Sequence, residues 1–240
     1  MPDVGRRSQQ LTVGRDAQAL TLFSVRLLAR VIKATPERPT RLHDLRGKPI
    51  DWASLPNIPV AIADTAASVA FSYRREVPWI SYRACRYLSK VIQPSWRILE
   101  FGAGMSTVWF AKRASFVFSV ESDALWYRRV LKTMERHRLT NVHLEYRPRD
   151  CDAYSSLSGV ESDFDLAFID GDCRDRCLLA SLPKLRAGGY VYLDNTDQPG
   201  DRQIAERLLL AQPIEWHRYF NDLAPGLVAI TQGLLAKLLS

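Results

Sequence analysis

Two glycines one residue apart, Gly102 and Gly104, follow the run Arg97-Ile98-Leu99-Glu100-Phe101 and precede Met105-Ser106-Thr107-Val108-Trp109-Phe110-Ala111. An apolar run that ends in such a pair and reopens without Pro or Gly reads as a strand, a tight turn and a helix start. Glycines there let backbone approach a ligand closely, and the free amides of a helix start hold a carboxylate or phosphate. Glu121 lies 19 residues beyond Gly102 and closes a second β-rich run, Ser115-Phe116-Val117-Phe118-Ser119-Val120. In a mononucleotide-binding βαβ unit, an acid at the end of the second strand accepts hydrogen bonds from ribose hydroxyls. Gly-x-Gly alone is a weak signal, whereas strand, turn, helix, strand and acid in that order are a specific one. Polar groups also close two later apolar runs: Asp170-Gly171-Asp172 after Phe164–Ile169, and Asp194-Asn195 after Tyr190–Leu193.

The elements that must position these residues alternate along the chain. Asp123 to Arg138 carries Leu125, Val130, Leu131 and Met134 at helical spacing, and Val142 to Tyr146 alternates as a strand. A helix through Leu185 is expected after Asp172, ended by Gly188-Gly189 before the strand Tyr190 to Leu193. Asp201 to Ala211 reads as helix, and Ile214 to Phe220 and Gly226 to Thr231 read as two strands around Pro225-Gly226. Strands joined so tightly pair antiparallel, since a parallel return needs a longer crossover. The pattern predicts an α/β fold with a doubly wound, mostly parallel sheet.

Upstream, Ala61 to Lys90 reads as two helical pieces broken at Pro78, with Trp79, Ile80, Tyr82 and Tyr87 available to pack in the core or cover a ligand. Residues 34–60, with Pro36, Pro39, Pro49, Pro56 and Pro59, read as an irregular linker. From Asp16, Leu20, Phe23, Leu27 and Val31 recur at helical spacing with Arg26, Arg30 and Lys33 on another side. Such a face packs on its own domain or on a second copy, giving a homodimer, more often than on a membrane surface. The expected division is a basic N-terminal extension and linker, 1–60, and a catalytic-type domain, 61–240.

The 240 residues, 47% apolar and 25% charged, suit one soluble domain with an extension. The net charge of +7 is uneven: residues 1–50 hold 10 Lys/Arg against 4 Asp/Glu, or +6, which leaves +1 for the rest. With no basic groove to argue on the later domain, no nucleic-acid partner is expected. No apolar run approaches the roughly 18 residues that span a bilayer, and no signal-type apolar segment opens the chain, so a cytoplasmic location is expected. Cys85, Cys151, Cys173 and Cys177 make no disulfide framework at this length and lack zinc-ligand spacing, so buried thiols are expected.

Taken together, Ile-Leu-Glu-Phe-Gly-Ala-Gly, the strand-ending Glu121, Phe-Asp-Leu-Ala-Phe-Ile-Asp-Gly-Asp and Leu-Arg-Ala-Gly-Gly-Tyr-Val-Tyr-Leu-Asp-Asn resemble, over about residues 76–232, a class I S-adenosylmethionine-dependent methyltransferase. The resemblance implies a Rossmann-like seven-stranded sheet whose final hairpin supplies the antiparallel strand. It also implies cofactor contacts: Glu100 near the methionine amino group, Gly102 and Gly104 along the cofactor, Ser106 at its carboxylate, Glu121 on the ribose and Asp150 near the adenine amine. A dinucleotide dehydrogenase fits worse, because Thr107 stands where that fingerprint wants a third glycine and Glu100 puts a carboxylate where a pyrophosphate would lie.

The second half resembles the metal-dependent catechol and caffeoyl-CoA O-methyltransferases, which hold magnesium on an Asp after the fourth strand and an Asp-Asn pair after the fifth. The matching residues are Asp170, Asp194 and Asn195, and three hard oxygen ligands at neighbouring strand ends suit Mg²⁺. Those enzymes also carry a lysine that takes the hydroxyl proton, whereas this chain has Gly171-Asp172-Cys173-Arg174-Asp175-Arg176. Arginine stays protonated and makes a poor base. Metal alone, a carboxylate such as Asp172, or a metal-free site are the open alternatives. The implied activity is transfer of a methyl group to an oxygen of a small molecule or glycan, with Asp170 or Asp172 assisting. A cofactor-binding accessory protein without turnover is the competing expectation.

Overall fold

The computed structural model describes residues 39–240 apart from 72 and 74. The expected helix from Asp16, with its membrane and homodimer readings, lies outside the described residues. Seven strands form one sheet: β1 (Arg97–Phe101), β2 (Phe116–Glu121), β3 (Val142–Tyr146), β4 (Phe164–Ile169), β5 (Leu185–Leu193), β6 (Ile214–Ala224) and β7 (Leu227–Leu238). Their order is β3-β2-β1-β4-β5-β7-β6, with β1 to β5 paired parallel and β7 antiparallel to both β5 and β6. The fold is Rossmann-like, as the alternation of elements predicts. The β6–β7 turn is tight because Gly226 takes φ +73°, in the left-handed region that favours glycine.

Burial on both faces explains why the central strands read as nearly unbroken apolar runs. Leu99, Phe101, Ala167, Ile169, Val191 and Leu193 pack on one face, and Ile98, Leu166, Phe168 and Tyr192 on the other. The helices that cover these faces and carry the site residues are α1 (Ile58–Phe71), α2 (Tyr82–Val91), α3 (Met105–Ala111), α4 (Ala124–His137), α5 (Cys151–Ser155), α6 (Arg174–Ser181) and α7 (Asp201–Leu210). The chain leaves β1 toward β2 on one side and returns to β4 on the other. That reversal opens a crevice at the carboxyl ends of β1 and β4, where ligands bind in open α/β sheets.

Three local readings are corrected. Gly188-Gly189 does not end a helix: α6 stops at Ser181 and β5 already begins at Leu185, with both glycines inside the strand. Gly188 takes φ +70° at an irregularity between the Leu185–Phe164 and Tyr190–Leu166 pairs, so the glycines shape a bulge. The final hairpin is longer than periodicity suggests, because Leu234, Leu235 and Ala236 are buried on β7 and extend the pairing to Leu238. The four cysteines are not all thiols. Cys151 and Cys173 form a disulfide, with Cα atoms 5.6 Å apart, while Cys85 and Cys177 are free. The bridge joins the start of α5 to the residue before α6, two loops that only the sheet brings together.

Within the proline-rich stretch, Leu42, Ile50 and Ile58 pack on Ala61, Tyr82, Leu223 and Ile230. Buried Asp44 accepts the amides of Arg46 and Lys48 at 2.9 and 2.8 Å, and Asn221 donates to it at 3.0 Å. These residues are thus tied to β6 and β7 rather than strung out as linker. Among the described residues no helix is long and apolar enough to cross a membrane.

Candidate active site

The carboxyl ends of β1, β2 and β4 line a cleft of about 290 Å³. Gly102, Gly104 and Ser106 form one wall, Glu121, Ser122 and Asp123 a second, and Asp170, Gly171, Asp172 and Arg174 a third. Gly102 takes φ +95°, and a Cβ on it would lie 2.7 Å from the Gly171 amide nitrogen. The β1 and β4 turns therefore touch through backbone, which forms the floor. Gly104 is the N-cap of α3, and its amide donates to the Thr107 hydroxyl at 3.0 Å. This gives Thr107 a structural task at the place where a dinucleotide fingerprint would have glycine.

Glu100 is fully buried beneath this turn and does not line the cleft. Its Oε2 accepts from the Thr107 hydroxyl at 2.6 Å and the Ser119 hydroxyl at 2.5 Å. Oε1 is buried with no hydrogen-bond partner among the described residues. Burial pushes this carboxyl up to about 7, against the lowering influence of the Ser106, Ser119 and Thr107 hydroxyls. A buried acceptor left unpaired is costly, so it fits a cationic or donating ligand group.

Glu121 is also buried, 7% exposed, but faces the cleft. Its Oε1 accepts the amides of Ser122 at 2.8 Å and Asp123 at 2.6 Å, which fixes the carboxylate at the strand end. Burial pushes its pKa up to about 7, opposed by those two amides. Asp123 caps α4 through the amides of Leu125 and Trp126 at 2.8 and 2.7 Å. Trp126 in turn donates its indole N–H to the Ala103 carbonyl at 2.7 Å and packs 5.7 Å from the Trp79 ring, both rings lining the cleft. The Gly102 floor and the anchored Glu121 on the cleft fit an amino-acid nucleoside such as S-adenosylmethionine, with Glu100's unpaired oxygen buried behind the turn.

Asp150 is placed differently. Its carboxylate caps α5 through the Ala153 amide at 2.9 Å, and it does not line the cleft. Its neighbour Arg149 does, and donates to Asp172 at 2.8 Å. The same Asp172 oxygen accepts from the Ser122 hydroxyl at 2.7 Å, tying the β2 and β4 loops together.

The strand ends that suggested magnesium are brought together, but around a side chain. Arg174, only 3% exposed, donates to Asp170 Oδ1 at 3.0 Å and to Asn195 Oδ1 at 3.1 Å, and it bonds the Asp194 carbonyl. Asp194 is buried, accepts from the Tyr192 hydroxyl at 3.1 Å and is absent from the cleft lining. Burial and the nearby Asp170 push its carboxyl well above the ordinary range. Among the described residues no group of three or more His, Cys, Asp or Glu is placed to hold a metal ion. The magnesium expectation for Asp170, Asp194 and Asn195 is therefore not supported: a guanidinium takes one side-chain oxygen each of Asp170 and Asn195, and the Asp194 carboxylate is bonded by Tyr192.

The turn glycines and Glu121 were legible because their chain spacing follows from the βαβ unit. Arg149, Tyr154 and Arg202 also line the cleft and carry no motif, since they reach it from separate loops.

Residues 99–196 match the family model described as a methyltransferase domain. No curated protein matches the chain. Among solved structures, this chain resembles an O-methyltransferase from Bacillus cereus in complex with S-adenosylhomocysteine. The TM-score is 0.58 at 18% identity, over 75% of this chain and 99% of that one. An O-methyltransferase from Streptomyces achromogenes, involved in tomaymycin synthesis and bound to S-adenosylmethionine, gives 0.57 at 17% identity, over 74% and 88%. An rRNA methylase from Streptococcus thermophilus gives 0.53 at 12%, over 66% and 96%. At such identities the likeness is one of fold.

Proposed function

We propose that this protein binds S-adenosylmethionine in the β1–β2–β4 cleft and transfers its methyl group to an oxygen nucleophile of a small molecule or glycan. The observation that carries this reading is the pairing of the Gly102–Gly104 turn with Glu121 on one cleft, a carboxylate fixed by two amides beside a backbone floor. When bound, the cofactor supplies a sulfonium-activated methyl group. Glu100, through its unpaired Oε1, attracts the amino end, Ser106 at the start of α3 meets the carboxylate, and Glu121 accepts the ribose hydroxyls. Asp150 remains the residue proposed nearest the adenine, with Arg149 beside it. Asp170 and Asp172, both on the cleft wall, are the carboxylates proposed to take the acceptor's proton. Rate comes mainly from holding acceptor oxygen and methyl carbon in line.

Calorimetry with S-adenosylhomocysteine tests the reading. Binding by the full chain, weakened at least tenfold by Glu121→Ala, is expected, and absence of binding by the wild-type protein overturns it. The second reading, a cofactor-binding accessory protein, is favoured by one observation: no lysine stands among residues 171–176, and Arg174 is committed to holding the strand ends. Cofactor binding with no methyl transfer across a broad panel of hydroxylated acceptors would select it.

A further inference from the structure

We infer that the Arg174 guanidinium is the resident cation of this site, standing in for a divalent metal, so that the chain holds its acceptor side together without metal. The inference rests on the methyltransferase reading for what the site does, but not for how the cation is held.

Its basis is the set of oxygens that one side chain collects. Nε donates to the Gly171 carbonyl at 3.0 Å, and Nη2 reaches the Asp170 carbonyl at 2.9 Å, Asp170 Oδ1 at 3.0 Å and Asn195 Oδ1 at 3.1 Å. Nη1 donates to the Asp194 carbonyl. One planar group thus engages a side-chain oxygen of Asp170 and of Asn195 and the main-chain carbonyls of Asp170, Gly171 and Asp194 at the ends of β4 and β5. A guanidinium presents five donors and accepts nothing, so it matches a ring of oxygens as a cation does.

The group is also held in place from behind. Arg174 is the first residue of α6, its amide donates to Asp201 Oδ2 at 3.0 Å, and the preceding Cys173 is tied to Cys151. A guanidinium only donates, so the Asn195 amide must turn its oxygen toward Arg174, and its Nδ2 donates to the Thr231 hydroxyl at 2.7 Å. Asn195 takes φ +55°, a left-handed conformation that aims this side chain inward from the strand end. With the guanidinium 3% exposed, a metal ion would have to expel a buried cation or sit beside it. Arg174 therefore acts as a positioning residue, and the acceptor need not carry the vicinal oxygens that a chelated metal requires.

Manganese is the probe, measured by electron paramagnetic resonance on the full chain after treatment with EDTA and dialysis. Wild type and Arg174→Lys, which keeps the charge, are expected to show no bound Mn²⁺. Arg174→Ala is expected to bind Mn²⁺ at least tenfold more tightly, with the gain abolished by adding Asp170→Asn. Wild-type Mn²⁺ binding that Asp170→Asn removes would overturn the inference, as would a folded Arg174→Ala that gains none. If Arg174→Ala does not fold, Arg174→Gln takes its place, and the wild-type measurement decides alone if neither folds. S-adenosylhomocysteine calorimetry on the same samples reports separately on the cofactor reading, so failure of one leaves the other standing.

Discussion

A Cβ on Gly171 would lie 2.9 Å from the backbone nitrogen of Gly102 and would also strike the Tyr154 hydroxyl. Two loops 69 residues apart in the chain, counting from 102 to 171, are pressed together where neither tolerates a side chain. Gly171→Ala is expected to destabilise the fold by about 1–3 kcal/mol through forced backbone shift. It should also weaken S-adenosylhomocysteine at least tenfold. Thermal unfolding and calorimetry check the two effects separately, and a neutral result in both would mean that the loops move apart freely.

Glu121 sets a pH dependence with opposite signs for folding and for ligand. Burial raises its pKa from 4.5 to about 7, so the folded protein holds this proton more tightly than the unfolded chain does. The stability contributed is full below the unfolded value near 4.5 and is lost as pH rises through about 7. Ribose hydroxyls donate to the ionised carboxylate, so cofactor affinity should rise with pH across the same window. Calorimetry from pH 5.5 to 8.5 should show the Glu121 part of the affinity falling up to about tenfold per unit below pH 7. Glu121→Gln should flatten the part of that profile due to Glu121, with Glu100, which titrates near the same pH, accounting for the remainder.

The Cys151–Cys173 bridge closes a 22-residue separation between the two loops that carry Arg149 and Arg174. Loop-closure entropy for that length corresponds to about 3 kcal/mol. Cys151→Ser with Cys173→Ser, or reduction with dithiothreitol, should lower the melting temperature accordingly. Cys177→Ser should leave the response to reduction unchanged, because that thiol is buried and unbridged.

Asp170 and Asp172 line the cleft, and Asp172 Oδ2 is already shared by Ser122 and Arg149. The Asp170→Asn, Asp172→Asn double variant is expected to lower kcat by about 10²–10⁴, the range for losing a general base. Its affinity for S-adenosylhomocysteine should stay within about threefold of wild type. Single-turnover methyl transfer at saturating cofactor separates the chemical step from binding. A kcat unchanged in the double variant would remove both carboxylates from the proton transfer.

Trp126 is pinned to the Ala103 carbonyl and packs at a tilt against Trp79, both lining the cleft. Intrinsic fluorescence should therefore change on adding S-adenosylhomocysteine, and Trp126→Phe should remove most of that signal. A full signal in Trp126→Phe would place the fluorophore elsewhere.

What the sequence determined by itself is the part of the molecule governed by local periodicity and short spacing. The run from Arg97 to Phe101, the Gly102–Gly104 turn and Glu121 are legible because a βαβ unit fixes the number of residues between a turn and the next strand end. The same holds for the helix read over Asp123 to Arg138 from its apolar spacing, which the structure forms over Ala124–His137. Only the tertiary structure decided what surrounds Asp170, Asp194 and Asn195. Their types and positions suit a metal equally well, and the reading turns on where the Arg174 side chain points, which chain spacing does not encode. The disulfide was hidden for the same reason, because Cys151 and Cys173 meet across loops that the sheet aligns. Gly188-Gly189 was ambiguous because paired glycines both end helices and bend strands, and only pairing with β4 distinguishes the two.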